Sequence, residues 1–245
     1  MTLRSHFGCG KTVSQMHDVR TFDILSSMKI EGFADTIRWY DQNAREYAES
    51  SYKVTPATLI NRFIELLPPN PVILDAGCGA GKDSRVFNKL GARVTGIDLS
   101  KGLIKEARKR NPTVNFEEGN FLNLRFENAS FDGVWAHASL VHLETINDAK
   151  KALDEFRRVL RDGGLMHVYV KAQLGENKTE VVKDPLSNHE RFFRYYTEDE
   201  LKRLVSDASF QIIETEMQDD LHGREDVKWI ALFARKGRVK SSSAS

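Results

Sequence analysis

A short apolar run that leads into a glycine-rich turn is the most constraining feature of this sequence. Residues 72–76 have the composition of a fully buried β-strand. Gly77, Gly79 and Gly81 follow, and apolar residues then recur at helical spacing until Gly91 ends the predicted helix. Glycine lets a backbone approach a ligand closely, and a helix N-terminus offers unpaired N–H groups. This strand–turn–helix unit therefore predicts a nucleotide-binding βαβ fold.

Two phosphate-binding loops share parts of this turn but do not match it. The dinucleotide fingerprint G-x-G-x-x-G requires a glycine where Lys82 stands. The phosphate loop G-x-x-x-x-G-K-[ST] requires a glycine at Ala76 and a metal-binding hydroxyl at Asp83. The pattern that fits is D-x-G-x-G-x-G, from Asp75 to Gly81, and it resembles the first motif of the class I S-adenosylmethionine (SAM) methyltransferases.

A second motif supports this resemblance. The next predicted strand, residues 93–98, ends in Asp98, close to the offset of roughly 20 residues at which an acid meets the ribose of an adenosine cofactor. A carboxylate can accept hydrogen bonds from both ribose hydroxyls. The resemblance therefore implies SAM as the cofactor and methyl transfer as the reaction. It is closest to bacterial-type small-molecule members with a type 11/25-like methyltransferase domain.

The resemblance covers roughly residues 35–236 and implies an α/β fold. We expect a doubly wound, mostly parallel, seven-stranded sheet with a reversed last strand and helices on both faces. Two late predicted strands, residues 210–215 and 228–235, agree with the reversed strand because only a polar loop joins them. Between the fifth strand and this pair, residues 172–190 are predicted to form a polar loop.

The length of 245 residues fits one large domain with appendages. We predict a flexible N-terminal extension over residues 1–32, a methyltransferase domain over 33–236 and a disordered tail over 237–245. The extension lacks the apolar region of a signal peptide. It is basic and poor in acids before Asp18, so an organelle-targeting segment also fits.

Composition argues against several classes of protein. A net charge of +1, with basic and acidic residues interleaved, gives no bulk attraction to nucleic acid or anionic membranes. No apolar run approaches the length of a membrane span. The only cysteines, Cys9 and Cys78, favour a reducing compartment over a disulfide scaffold. We therefore expect a cytoplasmic protein, and nothing in the sequence indicates its oligomeric state.

The resemblance also implies which residues contact the cofactor. Tyr40 and Tyr47, on a helix predicted over 33–49, either close over the methionine end of SAM or cover the core. Asn120 either accepts from the adenine amino group or forms an ordinary Gly–Asn turn, and Phe121 can cover the adenine ring. The complete predicted set of cofactor-binding residues is Tyr40, Tyr47, Asp75, Gly77, Cys78, Gly79, Asp98, Leu99, Asn120, Phe121 and Ala136.

Histidines follow the predicted fourth strand, residues 131–136, which leads to the centre of the sheet. Ligands of open α/β sheets bind at the carboxyl ends of such strands. His142, and after it His137, are candidate general bases for an acceptor that carries a proton. The alternative is that either histidine is a structural hydrogen-bonding residue.

Candidate acceptor-binding residues lie later in the chain. Arg191, Tyr195, Tyr196 and Arg224 either hold an anionic or aromatic substrate under a lid or pack loops against the core. The polar side chains at 219, 220 and 222 are typical of a solvated loop, so we predict no metal site.

The main functional prediction is a SAM-dependent methyltransferase that acts on a small molecule. The fourth strand is followed by His-Ala-Ser-Leu rather than the [DN]-P-P-[YF] of base-amino methyltransferases, and Cys78 belongs to the glycine turn, which argues against cytosine C5 methylation. The alternatives are methylation of an RNA or protein side chain, and a SAM-binding module without catalytic activity. The sequence does not indicate the acceptor or the acceptor atom.

Overall fold

The structure, a computed structural model, describes residues 31–183 and 190–237. Its centre is a seven-stranded sheet in the order β3-β2-β1-β4-β5-β9-β8. A separate two-stranded sheet pairs β6 with β7. The strands are β1 (Val72–Ala76), β2 (Arg93–Asp98), β3 (Asn115–Glu118), β4 (Phe131–His137), β5 (Leu160–Lys171), β6 (Thr179–Lys183), β7 (Glu190–Arg194), β8 (Phe210–Asp219) and β9 (Lys228–Lys236).

Strand directions confirm the predicted fold class. β1 to β5 run parallel to one another. β9 is antiparallel to both β5 and β8, so the last strand in the chain is the reversed one. The strand order reverses direction at β1 and β4, whose carboxyl ends therefore border the crevice in which open α/β sheets bind ligands.

Helices cover the sheet, and several begin at a capping side chain. The Ser100 hydroxyl accepts from the Leu103 N–H, and the Thr197 hydroxyl accepts from the Glu200 N–H, as expected of N-caps. The helices are α1 (Glu31–Gln42), α2 (Ala44–Ser51), α3 (Ala57–Glu65), α4 (Lys82–Lys89), α5 (Lys101–Arg110), α6 (Ile146–Val159) and α7 (Glu198–Asp207), and a 3₁₀ turn spans Leu140–His142.

The core on one face of the sheet is aromatic. The ring of Phe63 packs 5.1 Å from that of Trp135 and 5.7 Å from that of Phe87. All three side chains are fully buried. Rings of this size contribute most of the apolar area that stabilises such a domain, so this cluster fixes α3 and α4 against β4.

Three predicted boundaries are wrong. The strand predicted over 210–215 continues to Asp219 as β8. The helix predicted over 33–49 is two helices, α1 and α2, because the side-chain amide of Asn43 donates to the Trp39 carbonyl and the Asn43 backbone leaves the helical region. The stretch predicted as a loop over 172–190 contains β6, which pairs in register with β7. Three of its five residues, Thr179, Val181 and Val182, are β-branched, which is typical of a strand.

Several predictions concern residues outside the described part of the chain. These are the nature of the extension up to residue 30, including Cys9, and of the tail from residue 238. The last two residues of the predicted extension belong to α1. Among the described helices, none has the length and apolar character required to cross a bilayer.

Candidate active site

The glycine turn between β1 and α4 is built by backbone contacts. The N–H groups of Gly77 and Cys78 both donate to the Ile97 carbonyl at 2.9 Å. Gly77 has φ +81°, and a Cβ there would lie 2.3 Å from the Ser139 Cβ. Gly79 has φ +54°, and the nearest atom to a Cβ there is Cε1 of Tyr47 at 3.7 Å. Gly77 is therefore required because Ser139 packs against its backbone, whereas the backbone of Gly79 borders open space beside the turn.

Asp98 lies at the end of β2, next to this turn. Its Oδ2 accepts from the Gly79 N–H and its Oδ1 from the Ser100 N–H, both at 2.9 Å. Burial raises the pKa of the Asp98 carboxyl to about 6, against the opposing effect of these hydrogen bonds. Each carboxylate oxygen keeps a further lone pair. Asp98 can therefore accept hydrogen bonds from a diol.

Asp75, at the start of the glycine motif, is only 3% exposed. The Ser84 hydroxyl donates to its Oδ2. Burial and, after it, the charge of Asp83 raise the pKa of Asp75 to about 7. The carboxyl is therefore divided between its neutral and charged forms near neutral pH.

A first cavity, with an empty volume of about 890 Å³, adjoins the turn and Asp98. That volume includes space open to solvent, so the lining residues rather than the size indicate the kind of ligand. Open space at Gly79 and the free lone pairs of Asp98 fit the adenosine and amino-acid parts of SAM. Nine predicted cofactor-binding residues line this cavity: Tyr40, Tyr47, Asp75, Gly77, Cys78, Gly79, Asp98, Leu99 and Phe121.

Two predicted cofactor-binding residues do not line the first cavity. Asn120 Oδ1 accepts from the Leu122 N–H at 2.8 Å. This bond is typical of an ordinary turn, which was the alternative interpretation of Asn120 in the sequence. Ala136 is fully buried within β4. Ala138, two residues later, lines the cavity instead, since the cavity lies beyond the end of the strand.

His142 lies at the junction of three elements. Its Nδ1 is 2.8 Å from the Phe192 carbonyl on β7, so this nitrogen carries the proton and donates. Its Nε2 is then an acceptor, and the Tyr40 hydroxyl donates to it at 3.1 Å. Burial lowers the pKa of His142 to about 4, although the Phe192 carbonyl opposes the shift. The imidazole is therefore neutral at pH 7 with a lone pair on Nε2.

His137, the second candidate base, belongs to an aromatic stack. Its ring lies 4.2 Å from that of Tyr169, and its Nδ1 is 3.3 Å from Nε2 of the fully buried His167. Burial holds the pKa of His137 well below its usual value. His137 lines the first cavity as well, but this packing agrees with a structural role.

A second, larger cavity adjoins the first, with an empty volume of about 1780 Å³ that includes its open mouth. Side chains from α1, the 3₁₀ turn, β5, β7 and β9 surround it. The two cavities share part of their walls. The shared residues are Tyr40, Tyr47, Ser51, Lys82, His137, Ala138 and His142.

The structure separates the four predicted acceptor-binding residues. Arg191 and Arg224 line the second cavity, although the Arg224 guanidinium is paired with Asp220 at 2.7 Å. Tyr196 is fully buried, and its hydroxyl donates to the Leu140 carbonyl. The Tyr195 hydroxyl donates to Glu180. Neither tyrosine lines either of the two cavities.

Sequence reasoning missed Lys171, Trp39 and Trp229, which line the second cavity. Lys171 ends β5, so the rule that ligands bind at the carboxyl ends of central strands could have identified it. Trp39 lies next to Tyr40 on the predicted helix, and Trp229 is the second residue of the reversed strand β9. The residue pattern at these two positions does not indicate that either side chain lines a cavity. In the described ranges no group of three or more His, Cys, Asp or Glu side chains could hold a metal ion.

Comparison with known proteins identifies the family. Residues 74–168 match a family described as a methyltransferase domain. An O-methyltransferase of Pyrenophora dematioidea is 31% identical over 82% of this chain and 76% of its own length. An O-methyltransferase of Aspergillus sclerotiorum, resE, is 32% identical over 85% of this chain and 80% of its own.

A solved structure shares the fold. The 1,6-didemethyltoxoflavin-N1-methyltransferase of Burkholderia thailandensis, with 1,6-didemethyltoxoflavin and S-adenosylhomocysteine bound, has a TM-score of 0.60 and 23% identity. The match covers 89% of this chain and 88% of that one. The chain thus belongs to the class I SAM-dependent methyltransferases. SAM is its cofactor, which confirms the prediction from the glycine turn.

Proposed function

We propose that the protein transfers the methyl group of SAM to a hydroxyl oxygen of a small molecule bound in the second cavity. The observation that carries this proposal is the shared wall at Tyr40 and His142, where a cofactor in the first cavity would meet an acceptor in the second. A neutral imidazole that accepts from the Tyr40 hydroxyl suits a nucleophile that must lose a proton, as a hydroxyl oxygen must.

Two further observations support a small acceptor. The second cavity is walled by side chains from more than five elements, which suits a compact ligand better than a polymer. Acidic residues balance the basic ones, with a net charge of +1. The composition therefore lacks the excess of positive charge that is typical of RNA-binding proteins. Both relatives named above are O-methyltransferases, which agrees with the choice of oxygen.

The cofactor would lie along the glycine turn, with its ribose on Asp98 and with Tyr40 and Tyr47 over its methionine end. The two tyrosine rings pack edge to face at 5.0 Å, so they form one cover. Bound SAM supplies a methyl group on a positively charged sulfur, which needs little activation. The protein's main tasks are then to position the acceptor in line and to exclude water.

The proton of the acceptor hydroxyl would leave through Tyr40 and His142. The acceptor O–H bond breaks and its proton passes to the Tyr40 oxygen, while the proton of Tyr40 passes to Nε2 of His142. The acceptor oxygen would then have an electron pair free to bond the methyl carbon that bound SAM supplies, and the sulfur would keep the electron pair of its former bond to that carbon. The Phe192 carbonyl would stabilise the resulting imidazolium through Nδ1–H.

A reducing, cytoplasmic setting is also part of the proposal. It rests on the use of two cysteines, of which Cys78 is a free and buried thiol.

Transfer of labelled methyl from SAM tests this function. The panel contains hydroxylated small molecules, the matching methyl ethers, RNA and a protein mixture. We expect label on hydroxylated compounds and none on their ethers. Label on RNA or protein instead would contradict the proposal, and SAM binding without any transfer would favour a module without catalytic activity.

A further inference from the structure

Lys171 is a buried cation in the wall of the second cavity. Its side chain is 7% exposed, and its Nζ lies 3.8 Å from the centre of the Phe193 ring. Within residues 31–183 and 190–237, no carboxylate lies within ion-pair distance of this ammonium. Burial, and then the charge of Arg224, lowers the pKa of Lys171. A largely buried ammonium without a counter-ion is a site where an anion stabilises the protein.

Arg191 places a second positive charge at the same ring. Its guanidinium carbon lies 5.6 Å from the centre of the Phe193 ring and 4.3 Å from that of Trp39. Its Nε is buried and has no hydrogen-bond partner in the described part of the chain. No ion pair in that part includes Arg191 either. Two cations therefore flank one aromatic ring without a paired carboxylate.

The other charges of this cavity are largely compensated. Lys82 pairs with Asp83 at 2.9 Å, and Arg224 pairs with Asp220 at 2.7 Å. Glu46 is exposed. Glu180 also raises the pKa of Lys171, but it lies outside the cavity wall and accepts from Tyr195. The remaining charge facing the cavity is positive, and it belongs to Lys171 and Arg191.

These cations are close enough to the candidate base to affect it. Arg191 and Lys171 both contribute to lowering the pKa of His142, after burial as the main cause. An anion between them would therefore lie near the end of the cavity that meets the cofactor site. The stacked rings of His137, Tyr169 and Trp229, with centroids 4.2 and 4.8 Å apart and planes within 5°, form an aromatic wall beside it. Such a wall suits a planar ligand.

We infer that the acceptor is a hydroxylated aromatic carboxylate, whose carboxylate lies between Lys171 and Arg191 and whose hydroxyl faces Tyr40. The inference rests on the proposed function, because it names the substrate class of that same site. It also explains why buried positive charge is kept beside a base: the anion compensates the cations when the acceptor is bound. Without the acid group, the ligand would leave both cations desolvated and unpaired.

Calorimetry with the protein saturated with S-adenosylhomocysteine tests this directly. The probes are the three hydroxybenzoates and 4-hydroxycinnamate, each compared with its own amide. At least one acid should bind about tenfold more tightly than its amide, the difference expected of one charge-assisted contact. Equal binding of acid and amide throughout, or binding of neither, would overturn the inference.

Charge removal identifies the contact. Lys171→Met should abolish most of the preference for the acid while the affinity for the amide and for S-adenosylhomocysteine stays within about threefold. Lys178→Met is the matched control, because Lys178 is exposed and outside the cavity wall, and it should keep the full preference. If Lys171→Met does not fold, Arg191→Met carries the same test. A preference that survives in every folded variant of these two cations contradicts the inference.

The two proposals fail in different ways. Since binding is measured without turnover, acid binding that persists without methyl transfer contradicts the proposed function alone. Methyl transfer to neutral acceptors, without any preference for acids, contradicts only the inference about the acceptor.

Discussion

The Tyr40 hydroxyl lies 3.1 Å from Nε2 of His142, although 102 positions separate the two residues. This contact joins α1, which precedes the sheet, to the turn that follows β4. His142 also contacts the Phe192 carbonyl, and the Phe192 N–H donates to the Thr36 hydroxyl on α1. The helix α1 and the strand β7 are thereby fastened together above the carboxyl edge of the sheet, where the two cavities meet.

The first prediction concerns the proton path. His142→Gln should lower kcat by about 10²–10⁴-fold, the range typical of a lost general base, with SAM affinity changed little. Tyr40→Phe should cost a similar factor, and the double variant should be no slower than the worse single one, because both act on one proton. Since the pKa of His142 is about 4, kcat of the wild type should show no loss from protonation of this imidazole near pH 6.5. Additive effects, or full activity in His142→Gln, would remove this pair from the mechanism.

The second prediction concerns the ribose contact. Asp98→Ala should weaken SAM binding by about 2–4 kcal/mol, the size of a pair of charge-assisted hydrogen bonds. Glu118→Ala is the matched control, since Glu118 is the register partner of Asp98 on β3 but is exposed and outside the cavity wall. Calorimetry measures both variants. Equal SAM affinity in Asp98→Ala and the wild type would contradict the assignment.

The third prediction is the pH dependence of SAM binding. The pKa of Asp98 is raised from 3.8 to about 6, and only its ionised form accepts from both ribose hydroxyls. SAM affinity should therefore be complete above about pH 6 and fall below it, by up to about tenfold per pH unit. Asp75, with a pKa of about 7, adds a second titration in this range. Asp98→Asn should thus remove only the titration near pH 6. A SAM affinity that does not change between pH 5 and 8 would contradict the prediction.

The same carboxyl has the opposite effect on the stability of the ligand-free protein. In the unfolded chain Asp98 ionises near its ordinary pKa, whereas in the folded chain it resists ionisation until about pH 6. The stability contributed by its neutral form is present at low pH and is lost between those two values. In this window the unfolded chain and the SAM complex both carry the ionised carboxyl. Stability measured without SAM should therefore fall as the pH rises, whereas stability measured with saturating SAM should change little.

The fourth prediction separates two neighbouring glycines. Gly77→Ala should destabilise the fold because its Cβ would overlap that of Ser139 at 2.3 Å, in addition to the strain of φ +81°. Gly79→Ala should cost only about 1–2 kcal/mol of stability, from the left-handed backbone, since its Cβ meets nothing nearer than 3.7 Å. It should nevertheless weaken SAM binding, because that Cβ points into the open space of the cofactor site. Thermal unfolding and calorimetry on both variants distinguish these effects; a Gly79→Ala protein with normal SAM affinity would contradict the placement.

The sequence predicted the parts of the site that local chemistry determines. Gly77 and Gly79 need a left-handed backbone, and Asp98 ends a strand next to them in a parallel sheet, so spacing alone brought them together. The capping residues Ser100 and Thr197 were predictable for the same reason, because a cap acts within one helical turn.

Contacts between distant segments were not predictable in the same way. Whether Tyr196 pointed into the core or into a cavity depended on its bridge to Ala172, just after β5, and the sequence carries no signal for that pairing. The burial of Lys171 could not be predicted from the sequence, because it depends on Phe193, which packs over Lys171 from another strand. Asn120 was open to two interpretations, and its bond to the Leu122 N–H favours the local turn.

A crystal structure of the protein with S-adenosylhomocysteine tests the central claim most directly. We predict the ribose hydroxyls within hydrogen-bond distance of the Asp98 carboxylate, the chain between Gly77 and Gly81 around the amino-acid end, and the sulfur facing the wall shared by Tyr40 and His142. A nucleoside bound away from Asp98, or a sulfur facing away from the second cavity, would contradict the account.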